Sequence, residues 1–437
     1  MRLLTLLLAA LAAGAVMLIA SLSGIEQFIL ESGVNIPTTD VVGDYTWGLI
    51  WSIAIAGAIA IWPMRTGSKK LLLLLWAGKM LIGLIFMLPY EEHYGILDSW
   101  SYYQAAQSLE GGILPALLNG SGDVVVAIGA LHAKVGLNSY HAMKMTFSLF
   151  GLIAVHLFYR ATVIVLGRED RRFFWLLALY PSVLFWSSIF GKDPIVLFGI
   201  ALHVWGLMQV SIAHRYRHLV TMLAGVAIAS LIRVWMGPIL MAPAMILLLP
   251  RVRHTGWRIA LGAASLGTLA VLVPTTADRL DFLQDKDLFE STQSISKGWK
   301  ANSSFSDNVE LTSLTDLILF TPQSMFIAYF RPLPGDLPHA FGLFAGCENL
   351  LLLLLVAGAA IRLRLSHLRN SLCLWAFALL LIWGVAYGLV TYKDLGTAVR
   401  FKLQILPVLL GAIYFLLFRP LRARQPAQFD PRFATTS

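Results

Sequence analysis

The sequence predicts an all-α, polytopic membrane protein of about 12 transmembrane helices, with interfacial helices in two large outer loops. Three observations lead there. Of the 437 residues, 58% are hydrophobic and 13% charged, with a mean hydropathy of +0.73; soluble domains are roughly half apolar and a quarter charged. The apolar residues recur in blocks of roughly 17–25, the length that crosses a bilayer. The segments between blocks alternate between short and basic, and long, mixed and aromatic.

Taken in order, spans are expected near 3–22, 45–63, 71–89, 142–166, 173–190, 194–212, 218–233, 234–250, 258–275, 343–361, 371–388 and 401–418. The first, "MRLLTLLLAALAAGAVMLIASLSG", has the make-up of a signal peptide and also the length of an uncleaved span; both readings put residues 24–44 outside. Later connections read "PMRTGSKK", "REDRR", "AHRYRH", "RVRH", "RLRLSHLR" and "RPLRARQ". By the positive-inside rule these are cytoplasmic, which places both termini inside a cytoplasmic (inner) membrane and the long loops outside. Residues 173–212 form a pair joined tightly by "FGKDP". Arg233, Gly237 and Pro238 interrupt 218–250, as in a tight pair or a broken helix. Residues 1–418 thus make one membrane domain, and 419–437 a basic, disordered cytoplasmic tail.

The outer loops, 90–141 and 276–342, are too long for simple turns and carry apolar stretches too short to span, "ILPALL" and "LTDLILFTPQSMFIAYF". These read as helices along the interface. Loops of this length usually carry function. The net charge of +9 lies in the inner loops and does not point to nucleic acid. Cys347 and Cys373 fall in or beside spans, which argues against a disulfide framework. No CxxC pair, HExxH, Walker loop or GxGxxG run is present. No internal repeat is visible, which weighs against an inverted-repeat transporter. The outward sequons at Asn119 and Asn302 matter only in a eukaryotic secretory pathway.

In "GILDSWSYYQAAQSLEGG", Asp98, Tyr102, Ala105, Ala106 and Leu109 share one helical face, with Asp98 at an N-cap position. A capped interfacial helix with Trp100, Tyr102 and Tyr103 as belt aromatics accounts for this. The stretch also resembles the first outer loop of GT-C superfamily glycosyltransferases, in particular bacterial relatives of protein mannosyltransferases and aminoarabinose-lipid A transferases. Asp98, Tyr102, Ala106 and Gly111 or Gly112 carry that resemblance. A second match, "AVRFKLQILPVLLGAI", is similar to the family's last-span signature through Arg400, Phe401, Leu406 and Pro407. The resemblance implies a multi-span enzyme using a polyprenyl-phosphate-linked sugar, with an acidic catalytic residue in the first large loop. The chain departs from the pattern in having Glu91, Glu92 and His93 upstream of a lone Asp98, and in placing this loop after the third predicted span.

Such a transfer needs a base for the acceptor hydroxyl and fixed cations for the leaving phosphate. Asp98 is the lead base, with Glu91 or Glu92 as substitutes or as ligands to a divalent metal. Outward cations are scarce, so Arg400, Arg331 and Lys192 are the leading phosphate ligands, with Lys402 and Arg233 beside them. Lys192 and Asp193 alternatively form a local ion pair in a turn, and Arg331 a snorkelling interface residue. Lys79, deep in a span, is costly to bury and is either functional or paired with Glu348 or backbone carbonyls. Glu348, His339 and Tyr102 complete the candidate set, whereas His156 and His203 read as packed.

The predicted activity is glycosyl transfer from a polyprenyl-phosphate sugar to a glycan, lipid or protein acceptor on the outer face. The rival enzyme is a Wzy-like polysaccharide polymerase or ligase, which would lean on Arg331 and Arg400. Rivals of other classes are a lipid-linked sugar transporter and an envelope scaffold.

Overall fold

The computed structural model describes residues 40–64, 66–94, 98–249 and 314–418. The spans expected at 3–22 and 258–275, the 276–313 part of the second loop, Asn302 and the 419–437 tail lie outside the described residues. Within the described residues the chain is all helical. Six helices are long and apolar enough to cross a membrane: α1 (Val41–Ile61), α2 (Thr66–Tyr94), α6 (Tyr140–Leu166), α9 (Lys192–Ser211), α13 (Ala340–Arg362) and α14 (Ser371–Thr391). The other helices of six residues or more are α3 (Asp98–Gln107), α4 (Ile113–Asn119), α5 (Gly122–Lys134), α7 (Arg171–Ala178), α8 (Pro181–Trp186), α10 (Leu219–Ile232), α11 (Met236–Leu248), α12 (Leu314–Phe330), α15 (Leu395–Lys402) and α16 (Leu406–Phe418).

Two expected spans, 173–190 and 401–418, are broken at identifiable residues, while 218–250 forms the two helices that the sequence suggests. Residues 173–190 divide into α7 and α8 because Pro181 has no amide hydrogen to continue a helix and instead occupies the first turn of a new one. Residues 218–250 form two short helices, since Arg233 is extended (φ −138°, ψ 97°) and ends α10. The last expected span is bent by 63° between α15 and α16, where Pro407 sits at the start of the second leg. Arg400 and Lys402 therefore ride on a short helix set at an angle to the final apolar one.

The antiparallel pair α9–α10 forms the densest contact. Gly199 and Gly206 on α9 and Gly225 on α10 let the two backbones touch: a Cβ on Gly225 would lie 2.4 Å from the His203 nitrogen, and one on Gly206 2.7 Å from the Met222 nitrogen. Small residues at such a seam are how helices approach closely in lipid, where packing replaces the hydrophobic effect as the driving force. The seam sets the N-terminus of α9 beside the C-terminus of α10, bringing Asp193 to Arg233.

Within α2, residues Ile82–Phe86 adopt a π turn. Such a turn disturbs the regular helical ladder, and here the Leu84 carbonyl accepts from the Tyr45 hydroxyl of α1 at 2.7 Å. The loop expected over 90–141 is built from α3, α4 and α5. Ala106 of α3 meets Gly129 of α5 so closely that a Cβ there would lie 2.9 Å from Ala106 Cβ. Tyr103 is buried and meets Tyr140 edge-on at 5.6 Å. The expected belt aromatic is thus a packing residue, because α3 lies against α5 and α6. "ILPALL" forms α4 with Leu114 and Leu118 exposed, and the second apolar stretch forms the 17-residue α12.

A candidate active site where three distant segments meet

The turn preceding α9, "FWSSIFGKD", is built from beneath by Lys79. That side chain is fully buried, and Nζ donates to the Ser187 carbonyl at 2.9 Å, Ser187 Oγ at 2.6 Å and Ser188 Oγ at 3.2 Å. Ser148 Oγ donates to the Ser188 carbonyl at 3.0 Å. Of the two partnerships open to Lys79, the one with a backbone carbonyl is formed. An ammonium that satisfies a carbonyl and two hydroxyls can remain in an apolar bundle. The result is a fixed platform ending in Lys192 and Asp193.

Asp193 is the centre of the site. Its side chain is 1% exposed; Oδ1 lies 3.3 Å from Arg233 Nη2, and Oδ2 accepts from Arg400 Nε. Arg400 also reaches the other way, donating from Nη1 to Asp98 Oδ2 at 2.9 Å. Lys192 Nζ bonds Ser121 Oγ at 3.2 Å and lies 5.9 Å from the centre of the Tyr102 ring. The Arg233 guanidinium stacks on Phe401 at 3.6 Å. The cluster therefore joins the starts of α3, α5 and α9 with the ends of α10 and α15.

Its charges are graded in exposure. Asp193 and Arg233 (6%) are sealed, Arg400 is 22% exposed and Asp98 60%. Three cations, Arg400, Arg233 and Lys192, stand against two carboxylates, leaving one net positive charge at the open end. A buried carboxylate holding two guanidiniums keeps them charged and aimed. Burial, together with the Asp98 carboxylate, raises the Tyr102 phenol well above its ordinary pKa, so Tyr102 is a neutral hydroxyl here. One wall is aromatic: Trp186 lies 6.0 Å from Arg400, and Tyr90 meets Phe185, Trp186 and Phe341. His93 and His339 close that wall at 5.7 Å from each other.

Of the other expected residues, His339 belongs to that wall and the rest lie elsewhere. Glu91 is buried with Lys144, whose Nζ is 2.8 Å from Oε1, while Tyr140 Oη lies 2.9 Å from both Glu91 Oε1 and Ser99 Oγ. This sealed knot sits behind Asp98, so the structure places Glu91 with the core and not with the open carboxylate. Glu92 is exposed on the last turn of α2. Lys402, two residues from Arg400 and thus on the opposite face of α15, is fully buried against the Asn349 amide oxygen. Glu348 is buried beside Asn349, with Oε1 unpartnered. Arg331 bonds Asp336 at 2.9 Å in the turn before α13, holding that carboxyl below its usual range, and His339 caps α13 through Gly342. Among the described residues, no group of three or more His, Cys, Asp or Glu is arranged to hold a metal ion.

The residue that sequence reasoning underrated is Asp193. Read as half of a local pair with Lys192, it instead binds two arginines from segments 40 and 207 residues away. An acid at the head of an apolar helix, on the same predicted side as two arginines, was the available signal. The chain matches no protein-family model, no curated protein and no solved structure.

Proposed function

We propose that this chain is an integral membrane glycosyltransferase with about 12 spans, working at the outer face of the cytoplasmic membrane on a polyprenyl-phosphate-linked sugar. The observation carrying this reading is the Asp98–Arg400–Asp193 chain of contacts, with Lys192 alongside. It supplies an exposed carboxylate and convergent cations, the two parts that glycosyl transfer from a lipid phosphate requires.

In this reading the donor phosphate takes the exposed edge of Arg400 together with Lys192. Arg400 then gives up its bond to Asp98, and the freed carboxylate accepts the proton of the acceptor hydroxyl. The acceptor oxygen bonds to the anomeric carbon as the bond from that carbon to the phosphate oxygen breaks. The electron pair leaves with the lipid phosphate, whose charge the guanidinium and ammonium stabilise. Arg233 and Asp193 position Arg400 from behind. The aromatic wall of Tyr90 and Trp186 suits the faces of a sugar ring.

A second reading, an arginine-led polysaccharide polymerase or ligase, is favoured by one observation: the Asp98 oxygen is already engaged by Arg400. Turnover of purified protein with native lipid extract, followed as release of polyprenyl phosphate or pyrophosphate, separates the two. Loss in both Asp98→Asn and Arg400→Ala supports the carboxylate mechanism. Loss in Arg400→Ala alone moves the assignment to the arginine-led reaction.

A further inference from the structure

At the opposite end of α9 lies a second concavity. Gln209 is sixteen residues beyond Asp193, about 24 Å along the helix. There α1, α2, α6 and α9 part around a cavity of about 610 Å³, well within the usual size of ligand sites, roughly 300–1,000 Å³. Trp51, Ile55, Leu152 and Trp205 contribute to its apolar body. Its polar lining includes Gln209, Arg160, Arg215, Arg217, His218 and Ser68, with His156 one turn before Arg160 on α6.

Two independent features describe the ligand. The first is charge. Three arginines line the mouth; Arg160 has Glu169 at 3.5 Å, and Arg217 donates to His218 at 3.4 Å. Basic pockets between membrane helices suit anionic headgroups. The second is an unsatisfied acceptor. Gln209 is 6% exposed and its Oε1 has no hydrogen-bond partner, while its carbonyl accepts from the Arg215 amide at 3.0 Å, which ties it to the mouth. A buried amide oxygen left unpaired is costly, so it calls for a donor. An apolar body, a cationic rim and an acceptor wanting a hydroxyl together describe one molecule.

We propose that this cavity binds an anionic glycerophospholipid from the surrounding leaflet, with phosphatidylglycerol the best-fitting headgroup. One acyl chain fills the space between Trp51 and Trp205 while the other stays in the bilayer, the phosphate meets Arg215 and Arg217, and a headgroup glycerol hydroxyl donates to Gln209. The site is independent of the transfer chemistry at the other end of α9.

The test uses full-length protein, delipidated in mild detergent and titrated with phosphatidylglycerol, phosphatidic acid, phosphatidylcholine or polyprenyl phosphate, with native mass spectrometry and thermal unfolding as readouts. Phosphatidylglycerol is expected to bind at least about tenfold more tightly than phosphatidylcholine and to raise the unfolding temperature. Losing one charge-assisted contact in Arg217→Gln is expected to weaken it about tenfold. Gln209→Leu is expected to erase the preference for phosphatidylglycerol over phosphatidic acid. Arg217 is exposed, so its variant tests the site without endangering the fold. Equal binding of phosphatidylcholine would overturn the headgroup reading. Tighter binding of polyprenyl phosphate would overturn the choice of lipid.

Discussion

Two ion clusters stand side by side where α2 gives way to α3, built from the same chemistry and put to different use. Glu91, Lys144, Tyr140 and Ser99 satisfy one another out of reach of solvent. Asp98, one residue from Ser99, turns outward and shares Arg400 with the buried Asp193. In the first cluster every charge is matched by a partner of similar burial. In the second, burial falls steadily from Asp193 to Asp98, and a cation is left over. A closed network holds helices together; a graded one also presents charge to something outside the chain. The difference follows from helix geometry, since adjacent residues on α3 point about 100° apart.

The comparison can be broken at either cluster. The largest expected effect is at the open one: Asp98→Asn should lower turnover by about 10²–10⁴-fold, the usual contribution of a general base. Its unfolding should shift by no more than about 1 kcal/mol, because an exposed ion pair contributes little. A variant that loses stability and activity together would make the two clusters alike. Next, Glu91→Gln should destabilise by about 3–5 kcal/mol by stranding Lys144 as a buried charge. Glu91→Leu combined with Lys144→Met should recover most of that loss, since a well-packed apolar pair can replace a buried ion pair. Chemical denaturation in detergent measures both.

A smaller effect sharpens the contrast from a distance. Gly225→Val should cost about 1–3 kcal/mol by overpacking the α9–α10 seam. It should also lower turnover by drawing Arg233 away from Asp193, leaving the Glu91 knot untouched; an unchanged turnover number would detach the site from the seam. The smallest effect concerns Arg331 and Asp336. The folded pKa of Asp336 is depressed, so the pair's contribution is present above the unfolded pKa and fades as pH falls through the folded value. Asp336→Asn should therefore flatten the acid limb of the stability profile and leave it unchanged at neutral pH and above apart from a constant offset.

The membrane character of the chain was legible in its apolar blocks, and Asp98, Tyr102, Lys192, Arg233 and Arg400 stood out as candidates by residue type; Arg331 stood out with them but pairs with Asp336 outside the cluster. Azimuth was not legible. Glu91 and Asp98 occupy the same loop boundary in the sequence, and only the packing of α3 on α5 and α6 turns one inward and the other outward. Lys402 and Arg400 look alike beside the final span until the break before Pro407 gives them a short helix and opposite faces. Asp193 was hidden for a related reason: its partners are remote, and the nearest cation in the chain, Lys192, leans instead to Ser121. The break at Arg233 was legible in the sequence, whereas the one at Pro181 was not, since a proline inside an apolar block can also kink a continuous span.

The bond between Asp98 and Arg400 joins positions 302 residues apart. At translation rates of about 5–20 residues per second, some 15–60 s separate their synthesis. Until α15 is in place, Asp98 and Asp193 lack their shared arginine. The Asp98–Arg400–Asp193 cluster can therefore close only after the segment carrying Arg400 has been made and packed against the start of α9.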